Sequence, residues 1–307
     1  MRSHYSARTK AVVFSILGIL LFSTKAIFVK LLYQKGLDTT DALTLRMGFA
    51  VPVFTVMLLR LKDSTHQVKR SDYFFLFLLG FAGYYLASYL DFEGLTLIKA
   101  SLERLILFIY PTLVIALSAI LLNKTISNIQ KFGVALTYLG IVIVFLPELY
   151  HTEGLASVNV IKGGTLVFFS ALSYSLYLVG SQWLIPKFGV RRFTAIAMIW
   201  SGLMVFVHYM LASDNPMDIL TWNYEVYLLG ALMGILSTIL PSLLISQGIH
   251  QLGAAQFSIL AALGPISTIS LAYFFLNEQL SPIQLIGSLV IISGVMVAEY
   301  FGRKATT

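Results

Sequence analysis

Long apolar runs broken by short polar segments constrain this chain more than any other feature. They lie near residues 11–33, 40–61, 72–91, 98–122, 130–147, 162–185, 193–212, 225–247, 253–276 and 283–302. A helix crosses a hydrocarbon core of about 30 Å in roughly 20 residues, so each run has the length of one membrane span. Breaks such as Asp214-Asn215-Pro216 carry turn formers. The 307 residues are 58% hydrophobic and only 11% charged, against about 25% charged in soluble domains. Lipid is therefore the expected solvent. Strong hydropathy without period-two alternation excludes an outer-membrane barrel. The expected fold class is an all-α membrane protein with ten transmembrane helices. The first run follows Arg2, Arg8 and Lys10, as in a signal peptide. It is too long for a signal-peptide core, holds Lys25 and Lys30, and lacks a small-x-small cleavage site, so a retained span is expected.

Charge placement orients these spans. Cytoplasmic loops carry an excess of Lys and Arg. With the N-terminus inside, cytoplasmic segments would hold 14 basic residues, from Arg2 through Arg60, Lys131 and Arg192 to Lys304. The outer loops would hold Lys35, Lys99 and Lys162 alone. Ten spans with both termini cytoplasmic, in a cell (inner) membrane, follow as the expectation. The net charge of +7 then reflects topology and not nucleic-acid binding.

An offset of 154 residues superposes the chain on itself. Gly94 meets Gly248, Ala100 meets Ala254, and Pro111 meets Pro265. Asn123 meets Asn277, Ser127 meets Ser281, Gly133 meets Gly287, and Gly140 meets Gly294. The match is strong over the fourth and fifth spans against the ninth and tenth, and weak before them. The expected units are a first five-helix repeat at 1–148, a second at 160–302, and a tail at 303–307. Five is odd, so the second repeat enters the membrane from the opposite side. Inverted repeats of this kind build many secondary transporters.

The residues that carry this repeat resemble the drug/metabolite transporter superfamily, in its EamA-domain branch. The resemblance covers nearly the whole chain as two EamA units. Its most specific part is Gly94–Gly140 and its copy Gly248–Gly294, where a span ends Leu122-Asn123-Lys124 or Leu276-Asn277-Glu278 before a glycine-rich helix. In the family this turn is typically a small residue followed by Glu. Asn277-Glu278 fits, and Asn123-Lys124 departs. Where the family has a Trp-Gly-Ser-Asn stretch in its first span, this chain reads Phe22-Ser23-Thr24-Lys25. The resemblance implies export or exchange of small metabolites.

Charges inside spans are costly, so they are functional candidates as well as structural pairs. Lys25, Lys30, Arg46, Asp91, Glu103 and Arg104 all lie in the first half, at outer-to-middle depth. Lys25 is the deepest and is a candidate for contact with substrate or coupling ion. Lys30 is expected to snorkel to the outer interface. Arg46 and Arg104 are expected to pair with Asp91 or Glu103. Glu103 is the best carboxylate for proton coupling. The two acids offset two of the four cations, and the remaining positive charge would favour a carboxylate or phosphate on the substrate.

The second half offers polar stripes instead. Ser170, Tyr174, Tyr177 and Ser181 share one helical face, as do Tyr84, Ser88 and Asp91 in span three and Thr238, Ser242 and Ser246 in span eight. These faces either line a cavity or form hydrogen-bonded helix seams. Tyr110 joins the binding candidates. Pro111 and Pro265, repeat-equivalent and within spans, are hinge candidates. His208 is expected to be a satisfied structural histidine. No cysteine, metal-ligand cluster, P-loop or nucleophile–base motif is present, so no cofactor, metal or enzymatic activity is expected. The expected partners are a small-molecule substrate, protons and the bilayer, with a homodimer as an open alternative and no nucleic acid. The leading expectation is a secondary exporter of small polar, amino-acid-like or other carboxylate-bearing metabolites. The alternatives are an exchanger or importer of a larger anionic metabolite, or a membrane enzyme or sensor.

Overall fold

A computed structural model describes residues 2–61, 68–123, 125–150, 155–245, 260–261 and 263–298. Among them, eight helical stretches are long and apolar enough to cross a membrane: Thr9–Gln34, Thr39–Arg60, Arg70–Leu97, Ala100–Leu122, Asn128–Pro147, Val158–Phe188, Val190–Ala212 and Tyr224–Ile245. Two shorter apolar helices, Leu263–Leu276 and Pro282–Met296, follow. All regular structure in the described residues is helical. The chain is a multi-pass membrane protein.

Several stretches are interrupted, and the interruptions have local causes. The first divides into α1 (Arg2–Ser23) and α2 (Lys25–Gln34). At the junction the Ser23 hydroxyl donates to the Ile19 carbonyl (2.8 Å) and Thr24 Oγ1 to the Leu21 carbonyl (2.6 Å). Such side chains compete with the helical ladder and bend it. Next come α3 (Thr39–Arg60), α4 (Arg70–Gly80), a π segment (Phe81–Leu86) and α5 (Ala87–Leu97). The fourth stretch, expected as one continuous span, is α6 (Ala100–Leu107) and α7 (Tyr110–Leu122), broken at Phe108–Ile109. Pro111 stands in the first turn of α7, where its missing N–H costs least. Then follow α8 (Asn128–Tyr150), α9 (Leu155–Phe188), α10 (Val190–Ala212) and α11 (Tyr224–Gly234). A second π segment (Ile235–Ile239) continues α11, and α12 (Leu263–Leu276) and α13 (Pro282–Met296) complete the described elements.

Structural details recur at the 154-residue offset. Asn123 and Asn277 are the two non-glycine residues with positive φ, 51° and 54°, among those described. Ser127 with Gln130, and Ser281 with Gln284, form capping pairs with matching bond lengths of 2.9 and 3.2 Å. The π segments begin at Phe81 and Ile235, also 154 residues apart. The offset therefore reaches the third and eighth spans, where sequence identity alone was weak.

Helix packing exploits the shared glycines. A Cβ on Gly133 would sit 2.4 Å from the Ala298 nitrogen, and one on Gly294 would sit 2.5 Å from the Thr137 nitrogen. Helices α8 and α13 thus touch backbone to backbone, the close approach that small residues permit in lipid. Gly230 and Gly234 seat α11 on Leu45 and Phe49 of α3. Gly294→Ala should destabilise the protein by about 1–3 kcal/mol through overpacking, read as a lower melting temperature in detergent. Gly48→Ala is the control, because nothing lies within 4 Å of its added carbon, and it should leave the melting temperature unchanged or raised.

Candidate functional site

The in-span charges of the first half converge. Lys25, at the start of α2, reaches Asp91 on α5 (Nζ–Oδ2 2.5 Å) and Glu103 on α6 (Nζ–Oε1 3.4 Å). The three side chains are 7%, 3% and 0% exposed, respectively. Burial at this level makes each ion costly without its partners. The break at Thr24 places Lys25 here. Helix α12 braces that break: Ser23 Oγ donates to the Gly264 carbonyl (3.2 Å) and Thr268 Oγ1 donates to the Ser23 carbonyl (3.3 Å).

The arginines pair differently from the sequence expectation. Lys25 takes both acids. Arg46 instead donates from Nε to Thr238 Oγ1 and from Nη1 to Ser88 Oγ, both at 2.9 Å, and lies 5.7 Å from the Phe92 ring centre. The π segment after α11 supplies Thr238. The guanidinium of Arg104 lies over Phe22, 5.0 Å from the ring centre, and Lys25 lies 5.5 Å from the same ring. A side chain on Gly264 would collide with Arg104 Nη2 at 2.7 Å, so glycine makes room for the arginine. Three buried polar atoms have no hydrogen-bond partner among the described residues and lie in this cluster: Asp91 Oδ1, Glu103 Oε2 and Arg104 Nε. Two are acceptors and one is a donor.

An aromatic row adjoins the charges. Tyr84 and Tyr177 share a hydrogen bond between their hydroxyls (2.9 Å). Tyr177 stacks on Tyr174 (5.8 Å), and Tyr174 meets Tyr110 edge-on (5.5 Å). Tyr84 lies within electrostatic reach of Arg46, and Tyr174 of Arg104. Ser170 and Ser173 of α9 donate to the carbonyls of Ala87 and Ala82, at 2.6 and 2.8 Å. Both carbonyls border or belong to the π segment.

Lys25, Arg46, Asp91, Glu103 and Arg104 are thus brought together, with Tyr84, Tyr110, Tyr174 and Tyr177 alongside. Ser181 is turned back onto the Leu178 carbonyl (2.8 Å). Lys30 is half-buried. His208 accepts or donates at Nδ1 to the Tyr85 hydroxyl (3.0 Å), apart from the charges. Pro265 lies in the first turn of α12, whose start faces Arg104. Ser246, the last member of the eighth-span stripe, lies outside the described residues. Sequence reasoning missed Phe22 and Phe92 as cation platforms, because an aromatic in an apolar run has no distinguishing pattern. It also missed Glu278 as a contact. Its carboxylate accepts from the backbone N–H of Ala100 (2.8 Å) and of Ser101 (3.0 Å) and from the Ser101 hydroxyl (2.7 Å). The turn motif that contains Glu278 was the available signal.

Ionisable groups buried between membrane helices mark substrate or ion pathways in membrane proteins as a class. The chain belongs to the EamA-like transporter family, whose model matches residues 9–146 and 161–300. It is 29% identical over 298 residues to the uncharacterized transporter YcbK of Bacillus subtilis, covering 96% of this chain and 94% of that one. It is 24% identical to the uncharacterized transporter YyaM of the same organism, covering 92% of each. An uncharacterized transporter of Archaeoglobus fulgidus is 25% identical over 92% of this chain and 94% of its own length. A solved structure titled "Crystal structure of protein" shares the fold, with a TM-score of 0.64 at 16% identity over 97% of this chain and 99% of that one.

Lys25→Met should be strongly destabilising, by about 3–5 kcal/mol, because it leaves two buried carboxylates without their cation. Adding Asp91→Asn should recover a substantial part of that loss. Melting temperatures of the two single variants and the double variant in detergent measure the coupling, and additive losses would mean that the pair does not interact.

Proposed function

We propose that this protein is a secondary transporter that carries a small zwitterionic or other carboxylate-bearing metabolite by alternating access. The observation that carries the reading is the set of buried unsatisfied atoms. Asp91 Oδ1 and Glu103 Oε2 would accept from a substrate ammonium, while Arg104 Nε would donate to a substrate carboxylate. Buried polar groups are normally paired, so unpaired ones of both signs suit a ligand of both signs. Phe22 and the tyrosine row would cover the ligand's apolar part. Export is the direction that the family resemblance implies. A second reading, exchange of a larger anion, is favoured by the surplus of cations. With Lys25, Arg46 and Arg104 against Asp91 and Glu103, the buried set carries one net positive charge.

Proton coupling would use the two carboxyl groups around Lys25. The Glu103 and Asp91 carboxyl groups are also close neighbours. One proton held between them would relieve the like-charge contact, and substrate ammonium would compete for the same oxygens.

The proposed topology is ten spans in two inverted five-helix repeats, 1–148 and 160–302, in the cell (inner) membrane with both termini cytoplasmic. Three contacts support it, because each joins ends that this topology assigns to one side. Lys35 pairs with Glu225, Glu278 meets Ala100 and Ser101, and Lys187 pairs with Asp72 at 2.5 Å. Two of them are also repeat-related: Lys35 and Lys187 end α2 and α9, and Glu225 and Asp72 start α11 and α4. The chain has no native cysteine, so single cysteines report cleanly. Asp214→Cys should react with an impermeant maleimide from outside and Thr125→Cys from inside, and the reverse pattern would overturn the topology.

Purified protein in liposomes should give saturable uptake of at least one compound from a panel of amino acids and carboxylates. Arg104→Gln should weaken apparent affinity by roughly tenfold to a hundredfold, the loss of a charge-assisted hydrogen bond. Glu103→Gln should retain exchange while losing acceleration by a pH gradient. Absence of flux for every compound in the panel, or wild-type kinetics in both variants, would overturn the assignment.

A further inference from the structure

We propose that Glu278 is a one-sided clasp, a positioning residue that holds the hinged helix α6 and biases the transporter toward the conformation closed at that end. The proposal rests on the alternating-access reading above.

The geometry of α6 makes it an arm. It is eight residues long and separated from α7 by the break at Phe108–Ile109. It carries Glu103 and Arg104 at its middle. Its own N-cap residue, Lys99, supplies no side-chain cap. The carboxylate of Glu278, from the other half of the chain, caps it instead. It takes the first two backbone N–H groups of α6 and the Ser101 hydroxyl. A carboxylate at this position also meets the positive end of the helix dipole. The arm thus meets α7 at a break in the helical ladder at one end and is clasped at the other.

The turn after α12 aims the carboxylate. Asn277 adopts the left-handed conformation, φ 54°, and the Glu278 N–H returns to the Ala272 carbonyl (3.2 Å). The bond closes a seven-residue turn around the left-handed residue. The first half has the same left-handed turn at Asn123, φ 51°. The residue that follows it is Lys124, and the repeat equivalents of Ala100 and Ser101 are Ala254 and Ala255. A lysine has no acceptor for backbone N–H groups, and alanine has no hydroxyl. The sequence therefore writes the clasp once, although it writes the turn twice.

Among the described residues, the two ion pairs that join the halves at the helix ends are balanced. Lys35–Glu225 and Lys187–Asp72 are repeat-related, so opening either end costs one ion pair. Glu278 has a lysine at its repeat-equivalent position, so its contact belongs to one end, and a one-ended contact shifts a two-state equilibrium.

Reporter cysteines in the naturally cysteine-free chain test this without any substrate, so the outcome is separable from the substrate assignment. Ala100→Cys reports the clasped end, and Ala197→Cys, buried near the Lys187–Asp72 end, reports the opposite one. Impermeant maleimide is applied to each side of liposomes holding the full-length protein. Glu278→Ala should raise the labelling rate of the first reporter by about tenfold and slow that of the second. Ser101→Ala removes one of the three bonds and should shift both rates the same way by a smaller factor. It carries the test if Glu278→Ala does not fold. Unchanged rates would overturn the proposal. So would a rise at both ends, which reports general loosening.

Discussion

The ammonium of Lys25 is the interaction on which the rest of this structure depends. It is buried in a membrane domain beside two carboxylates, in a solvent that offers no compensation for an unpaired charge. To reach Asp91 and Glu103 at once, the first span must break at Thr24, and the third and fourth spans must present their acids at one level. The break in turn needs α12 to satisfy the groups around Ser23. One ion cluster thus ties four spans together.

The cluster is built mainly from one half of a duplicated chain. The other half contributes a threonine to Arg46, a glycine that leaves room for Arg104, and two of the four tyrosines in the row. This division explains how a duplicated chain comes to hold a lopsided charge cluster. Duplication supplies matching helices, caps, glycine contacts and π segments. Divergence at a few positions supplies the chemistry. The π segments carry Tyr84 and Thr238, which both lie near Arg46, and the first supplies the Ala82 carbonyl to Ser173.

Legibility in the sequence followed the range of the physics. Membrane solvent, the 154-residue offset and the set of buried ionisable groups were readable, because hydropathy, identity at a fixed spacing and the cost of a charge in lipid belong to single segments. The fourth span read as one apolar run with Pro111 as its hinge candidate; the break falls just before that proline, at Phe108–Ile109, which are ordinary apolar residues. Arg46 and Arg104 read as partners of the acids because like depth was all that the sequence offered. In the folded chain Lys25 projects between both carboxylates, and the arginines find hydroxyls and an aromatic face.

What the sequence by itself determined is therefore the solvent, the duplication and which half holds the ions. Only the tertiary structure decided which ions pair, where the helices break, and that Glu278 reaches across 178 positions to Ala100. The physical reason is that burial cost acts on a residue wherever it sits, whereas a hydrogen bond or ion pair requires two groups within about 3–4 Å. No one-dimensional pattern fixes such a distance between segments this far apart.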